Sequence, residues 1–414
     1  MTAPTVVTLG CRLNALESEV VRREAAAAGV SDTIVVNTCA VTGEAVRQAR
    51  QTIRRLRRER PNDRIVVTGC AAQLEPSSFA AMPEVDRVVG NAEKMTGFNL
   101  VDDGRRVVVS DITVRAEPAD HRIDRIEGRT RAFVQVQQGC DHRCTFCIIP
   151  FARGPNRSVP VERIVEQVGA LVGRGYREIV FTGVDICSYG RDLPERTRLG
   201  DLVRIVLRRV PGLPRLRLST VDPAAVDDSL LTALVEEERL MPHLHLSLQA
   251  ADDMVLKRMK RRHDRATIGA VVEKVRRARP DVAFGADLIA GFPTETEAMF
   301  ANTAAAIADF DLTYLHVFPF SPRAGTPAAR MPQVPAAVRK ARGARLREIG
   351  ARARRQYFNT RIGKTAMVLV ERERAGRCPD YAPVSLLFDA TPGDIVPVSI
   401  ADATNDYLLG ASAS

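Results

Sequence analysis

The chain has 414 residues, 45% of them apolar, and a formal net charge of +10. A single hydrophobic core stops growing at roughly 250–300 residues, so this length excludes a one-domain protein and the apolar content excludes a disordered one. Eight cysteines spread over so long a chain argue against a disulfide framework and for metal ligation in a reducing compartment.

The opening stretch MTAPTVVTLGC has neither the basic nor the apolar region of a secretion signal. No apolar run approaches the ~20 residues of a membrane-spanning helix, so a cytoplasmic protein without a membrane partner is expected. Strand-like and helical runs then alternate, the strands being TVVTLG (5–10), TIVVNT (33–38), RIVVTG (64–69) and VDRVVG (85–90). This rhythm predicts an N-terminal doubly wound parallel sheet over residues 1–105. The first three strands are each followed at once by a cysteine: Cys11, Cys39 and Cys70. Open parallel sheets bind ligands beyond the carboxyl ends of their strands, so these thiols are expected to converge there. One cysteine at a strand end reads as a packed thiol, whereas three in equivalent positions point to a shared metal site, iron–sulfur or zinc.

Residues 106–128 are polar and turn-rich and read as a linker. From 129 to 356 the strand–helix rhythm restarts six times, with strands at AFVQVQ (132–137), EIVFTGVD (178–185), RLRLSTVD (215–222), HLHLSLQA (243–250), VAFGADLIAGF (282–292) and YLHVFPF (314–320). Six such units predict an incomplete (βα)6 barrel with its chemistry at the carboxyl-end face. Residues 357–414 change to short β-like runs, TAMVLVERE, YAPVSLLFD and DIVPVSIAD, and predict a small antiparallel β domain. The multidomain α/β class follows.

Basic residues concentrate in RQARQTIRRLRRER (47–60), KRMKRRHDR (257–265) and RKARGARLREIGARARRQ (339–356). Any one run reads equally as a solvated helix face, but three in one chain favour a polyanionic partner such as RNA. Aromatic residues make up only 5%, with no Trp, which argues against binding chiefly by base stacking.

The stretch GCDHRCTFCIIP (139–150) sets Cys140, Cys144 and Cys147 in a C-x3-C-x2-C spacing directly after the first barrel strand. Structural zinc takes four protein ligands, and His142 or His121 could complete such a set. A four-iron, four-sulfur cluster on three cysteines instead leaves one iron open to a ligand from outside the chain. The place over a barrel mouth favours that second reading.

The wider segment GCDHRCTFCIIPFARGPNRSVP resembles the radical S-adenosylmethionine (SAM) methylthiotransferase family. The contexts GCRLN, NTCAVT and TGCAAQ match the family's N-terminal cysteines, and PGDIVPVSIADATNDYLLG is similar to its RNA-binding TRAM domain, so the resemblance spans nearly the whole chain. It implies that Cys140, Cys144 and Cys147 hold a cluster whose open iron binds SAM and cleaves it to a 5′-deoxyadenosyl radical. It further implies that Cys11, Cys39 and Cys70 hold an auxiliary 4Fe–4S cluster for sulfur insertion. The segments FTGVDICSYG, LHLSLQAADDMVLKRMKRRH, GFPTETEAMF and YLHVFPFSPRAGTPA resemble the branch that adds a methylthio group at carbon two of threonylcarbamoyladenosine, 3′ of the tRNA anticodon. Sister branches act on isopentenyladenosine tRNA or a ribosomal protein. The implied partners are the tRNA anticodon stem-loop and an electron donor such as flavodoxin or ferredoxin, with the sulfur donor unspecified.

By the same resemblance Gly183, Gln249, Gly291 and Arg261 are expected SAM contacts. Gly183 reads equally as a tight strand-to-loop turn, and Arg261 and Arg262 suit an RNA phosphate as well as a carboxylate. Cys187 and Cys378 are expected to be chemically quiet, and His243 and His245 to be packed or hydrogen-bonded. A reading of a different class, a non-catalytic RNA-binding protein stabilised by zinc, also explains the charge and the cysteines.

Overall fold

The computed structural model describes residues 4–114, 122–123, 125–126 and 128–413. Its N-terminal sheet is parallel throughout and comprises β1 (Thr5–Thr8), β2 (Thr33–Thr38), β3 (Arg64–Gly69), β4 (Arg87–Val89) and β5 (Val107–Val108). Helices α1 (Arg12–Ala27), α2 (Gly43–Glu59), α3 (Cys70–Leu74) and α4 (Pro76–Ala80) accompany it. Side chains alternate across a strand, and β2 is apolar on both faces. Ile34 and Val36 meet Val46, Ile53 and Leu56 of α2, while Val35 meets Val21 and Ala25 of α1. Helix α2 places Val46, Ala49, Ile53 and Leu56 on one stripe, which is why a run so rich in arginine still docks.

Two expectations change here. Both faces of the sheet are covered, but its strands run β1-β2-β3-β4-β5, without the order reversal of a doubly wound sheet. The three cysteine loops are therefore immediate neighbours along one edge instead of flanking a switch point. The sheet also takes its fifth strand from Val107–Val108, two residues past the boundary at 105, because a short polar stretch can pair at an edge without any apolar period to announce it.

The central barrel contains β6 (Arg131–Gln135), a short ribbon of β7 (Gln137–Gln138) and β8 (Arg157–Ser158), then β9 (Glu178–Thr182), β10 (Arg215–Leu218), β11 (Thr220–Val221), β12 (His243–Gln249), β13 (Ala283–Ala290) and β14 (Leu312–Pro319). The wall is parallel in the order β6-β9-β10, continuing through β11 to β12-β13-β14, so that RLRLSTV acts as one strand bridging two sheets. Helices α5 (Ile149–Arg153), α6 (Val161–Gly173), α7 (Leu199–Arg209), α8 (Asp228–Glu236), α9 (Asp253–Met259), α10 (Arg265–Ala278), α11 (Glu297–Asp309) and α12 (Ala336–Asn359) follow in chain order. The barrel is open between its edge strands: α1 packs on β6 and α12 on β14. Gly350 lets α12 approach closely, since a Cβ there would lie 2.6 Å from Leu315.

The C-terminal domain is a closed barrel of β15 (Thr365–Arg372), β16 (Ala375–Arg377), β17 (Pro383–Leu386), β18 (Ile395–Ala403) and β19 (Leu408–Ser412), antiparallel except where β17 meets β19. It docks on the amino ends of the central strands, opposite the loop that carries Cys140, Cys144 and Cys147. Arg215 Nη2 donates to Met367 O at 2.5 Å, Arg217 Nη1 to Pro379 O at 3.0 Å, and Arg131 pairs with Glu371 at 2.7 Å. Tyr381 stacks on His243 with ring centroids 4.6 Å apart and accepts a hydrogen bond from Arg12 Nη2 at 3.1 Å. Burial raises the phenol's pKa, yet the guanidiniums of Arg12, Arg377 and Arg131 outweigh it and draw the group down to about 8. Cys378, fully buried, belongs to this domain's core. No helix among the described residues is long and apolar enough to cross a membrane.

Many arginines of the three basic runs are engaged within the chain. In α2, Arg50 pairs with Glu75 and Arg57 with Asp86; farther on, Arg262 pairs with Asp222, Arg342 with Glu295 and Arg354 with Asp406. The runs therefore overstate the charge free for phosphate, although exposed pairs hold by only ~0–1 kcal/mol and can exchange partners.

Candidate iron–sulfur and substrate site

Cys11, Cys39 and Cys70 meet beyond the carboxyl ends of β1, β2 and β3. Burial pushes the Cys39 thiol up to about 11, and the proximity of Cys70 and Cys11 adds to the rise. Two asparagines tie the loops together. Asn14 Nδ2 donates to Leu9 O at 2.7 Å and Thr38 O at 3.0 Å, and Asn37 Nδ2 donates to Asn14 O at 3.1 Å. Gly10 has φ +103°, and a Cβ on it would lie 2.9 Å from Cys39 Sγ. If this trio holds the auxiliary cluster, Gly10→Ala is expected to strain the loop and expel it, halving the iron per chain while SAM cleavage persists. Iron analysis alongside a cleavage assay checks this, and full iron in the variant would refute it.

Sequence reasoning missed the polar network beneath this trio. Arg153 Nε donates to Cys70 Sγ at 3.2 Å and Arg153 Nη2 to Asn14 Oδ1 at 2.7 Å, while its guanidinium also pairs with Glu17. Lys94 Nζ reaches Glu17 Oε2 at 2.7 Å and Asn91 Oδ1 at 2.8 Å, and Asn91 Nδ2 donates to Cys70 Sγ at 3.7 Å. Two buried cations thus face one buried carboxylate and the thiol trio. That surplus of positive charge suits anionic sulfur, so the donor set fits a thiolate-bound cluster. The available signal was Asn14 and Glu17 lying on the apolar stripe of α1 beside Leu13 and Leu16.

The second trio lies on the loop between β7 and α5. Burial and Asp185 push the Cys140 thiol up to about 12, and burial pushes Cys147 up to about 11, with Cys144 adding to both. Ligation needs thiolates, so a cluster assembling on either trio would release protons. The loop is held by Cys140 N donating to Gly154 O at 3.0 Å and Thr145 N to Met259 O at 3.1 Å. Gly139, at φ +75°, has Pro155 O within 1.7 Å of where a Cβ would stand, so no larger residue fits. His142 pairs with Asp185 at 2.9 Å beside Cys140; His121 lies outside the described residues.

Arg261 is brought to this trio, its Nη1 donating to Cys144 Sγ at 3.5 Å and its Nη2 to Ser247 O at 2.8 Å and Asp222 Oδ2 at 3.2 Å. Gln249, at φ +71°, ends β12 and borders the cavity described next. The two glycines have local packing reasons: a Cβ on Gly183 would meet Gln137 O at 2.6 Å, and one on Gly291 would meet Arg339 Cγ at 2.5 Å. Cys187 accepts a hydrogen bond from Asp222 N at 3.3 Å, and burial raises its pKa strongly.

A cavity of about 250 Å³ is lined by residues that neighbour a cysteine of each trio in sequence. Val41 and Thr42, just after Cys39, form one wall, and Phe146, between Cys144 and Cys147, forms another. Gln249, Asp287, Ile289 and the segment from Phe318 to Ser321 complete it. The Ser321 hydroxyl accepts from Gly43 N at 2.9 Å, which joins the N-terminal domain to the barrel mouth at this point. Burial works against ionising Asp287, but hydrogen bonds with His245 and His316 hold its carboxyl well below the usual range.

Comparisons with known proteins agree with this architecture. A profile of the Radical SAM superfamily matches residues 134–307, and one described as Uncharacterized protein family UPF0004 matches residues 4–90. The chain is 46% identical over 403 residues to the threonylcarbamoyladenosine tRNA methylthiotransferase MtaB of Rickettsia prowazekii (strain Madrid E), covering 97% of this chain and 96% of the relative. It is 37% identical to the protein of that name in Bacillus subtilis (strain 168), over 84% of this chain and 80% of the relative. Identity to the tRNA-2-methylthio-N(6)-dimethylallyladenosine synthase of Bartonella henselae (strain ATCC 49882 / DSM 28221 / CCUG 30454 / Houston 1) is 33%, over 98% and 95%. Among solved structures, the radical SAM methyltransferase TsrM of Kitasatospora setae, with tryptophan substrate and a SAM analogue bound, aligns with a TM-score of 0.56 at 16% identity. That match covers 79% of this chain and 75% of TsrM and shows a shared fold alone.

Proposed function

This chain belongs to the radical SAM methylthiotransferase family, and from that premise we propose that it adds a methylthio group at carbon two of threonylcarbamoyladenosine, 3′ of a tRNA anticodon. The observation that carries the reading is the cavity walled by Val41 and Thr42 on one side and Phe146 on the other, because its lining draws on the loop that carries Cys39 and on the loop that carries Cys144 and Cys147. One unstacked base can enter such a space, whereas a duplex cannot, and the exposed Val41 and Phe318 offer it apolar contact.

Cys140, Cys144 and Cys147 would hold the cluster that binds and cleaves SAM, and Cys11, Cys39 and Cys70 the auxiliary one. Bound there, the two 4Fe–4S clusters and SAM supply the one-electron and sulfur chemistry that no side-chain acid or base can provide. The chain's own residues orient. Arg261 fixes the Cys144 sulfur against the ends of β11 and β12, and with Gln249 is read as a SAM contact. Gly183 and Gly291 keep that role only through their backbones at strand ends. Arg153, six residues past Cys147, donates to Cys70 and so couples the two loops mechanically.

The C-terminal barrel is read as an RNA grip. It lies at the far end of strands as long as β13, eight residues or ~26 Å, a distance that an anticodon stem-loop spans. A cytoplasmic setting and an electron donor such as flavodoxin or ferredoxin complete the proposal. Mass spectrometry of tRNA nucleosides from a deletion strain tests it. The expected result is loss of 2-methylthio-threonylcarbamoyladenosine with its unthiolated precursor accumulating. Loss of the isopentenyladenosine derivative instead would transfer the assignment to the sister activity.

A further inference from the structure

Three side chains on neighbouring barrel strands meet beside the cavity and have no part in the cysteine chemistry. His245 on β12, Asp287 on β13 and His316 on β14 carry ligand atoms that all lie within 4.8 Å of one another. Asp287 Oδ1 is 3.1 Å from His245 Nε2 and 3.2 Å from His316 Nδ1. The two imidazole rings are 4.5 Å apart and tilted by 34°.

The strand register produces this meeting. Asp287 stands opposite His316, and His245 stands opposite Gly285, two residues earlier and so on the same face of β13. Gly285 is what admits the His245 ring, because a Cβ there would lie 2.4 Å from its Nδ1. The triangle of three ligand atoms has room for an ion ~2.0–2.2 Å from each with only small side-chain shifts. Two imidazoles and a carboxylate are a donor set for first-row divalent cations, and three protein ligands leave coordination positions open. On the open side Asp287 borders the cavity, and the His316 side chain is 55% exposed.

We propose that His245, Asp287 and His316 form a binding site for a divalent first-row cation, with its open coordination positions turned toward the substrate cavity. The site is separate from both cysteine trios and takes an oxygen donor from whatever occupies the cavity. The alternative is a hydrogen-bonded triad that holds no ion.

The test uses the full chain carrying both iron–sulfur clusters, dialysed anaerobically against Zn(II), desalted and analysed for zinc and iron. The expected result is one retained zinc per chain, with X-ray absorption showing nitrogen and oxygen ligands only. His316→Ala, at a half-exposed position that does not endanger folding, should bind zinc at least ~10-fold more weakly with unchanged iron content and circular dichroism. Equal zinc in the wild type and His316→Ala would overturn the proposal. So would zinc–sulfur distances of ~2.3 Å, which would put the ion on cysteines.

Discussion

Replacing Cys39 by serine is expected to leave SAM cleavage within about threefold of the wild type while methylthio transfer falls by ~1000-fold or more, a loss of roughly 4 kcal/mol of transition-state stabilisation. Cys144→Ser should abolish both. The asymmetry follows from placement, since the two trios stand on different sheets and have separate supporting contacts. Cys39 is held by the Asn14 and Gly10 loop, whereas Cys144 is held by Arg261 at the barrel mouth. Chromatography of 5′-deoxyadenosine and mass spectrometry of the tRNA nucleosides read the two activities apart. Methylthio product from the Cys39 variant at the wild-type rate would contradict the division of labour.

The second large effect concerns the joint between the barrel and the C-terminal domain. Glu178 is fully buried at the amino end of β9 and faces three guanidiniums: Arg217 at 3.0 Å, and Arg131 and Arg215 each at 3.7 Å. Glu178→Gln leaves buried Arg215 and Arg217 without their carboxylate, while Arg131 keeps Glu371, a change that costs about 3–5 kcal/mol and lowers Tm by on the order of 10 °C. Burial acts to raise the Glu178 pKa, but Arg217, Arg131 and Arg215 outweigh it and the carboxyl ends up lowered. A lowered folded-state pKa stabilises above the ordinary carboxylate range and loses that stabilisation as pH falls through the lowered value. The gap in Tm between wild type and variant should therefore be full at neutral pH and close in acid. Equal melting temperatures at pH 7 would show that the cluster contributes nothing.

What was legible in the sequence is what local pattern encodes. Strand-end cysteines and the C-x3-C-x2-C spacing need only a few residues of context, so both trios could be read before any contact was known. The buried cradle of Asn14, Glu17, Asn91, Lys94 and Arg153 could not be read that way, because Arg153 meets Glu17 across 136 positions. The same blindness inflated the basic runs. Nothing near Arg265 or Arg354 in sequence announces Asp309 or Asp406 as their partners. Tyr381, at φ +75° in a loop, gave no sign that it seats the C-terminal domain on His243. Gly183 and Gly291 show the converse: their positions were legible as special, but the contacts that require glycine are Gln137 and Arg339. The zinc-stabilised, non-catalytic reading falls with the family, whose members are enzymes over the whole length matched.

The central claim is that one base-sized cavity is served by both trios. Val41 is 50% exposed and borders that cavity, so Val41→Trp fills the space without disturbing a core. The variant should keep its iron, continue to cleave SAM and lose at least ~10-fold in methylthio transfer to tRNA, because the base can no longer reach its reacting position. Methylthio transfer at the wild-type rate with the cavity filled would place the chemistry elsewhere in the molecule and contradict the account.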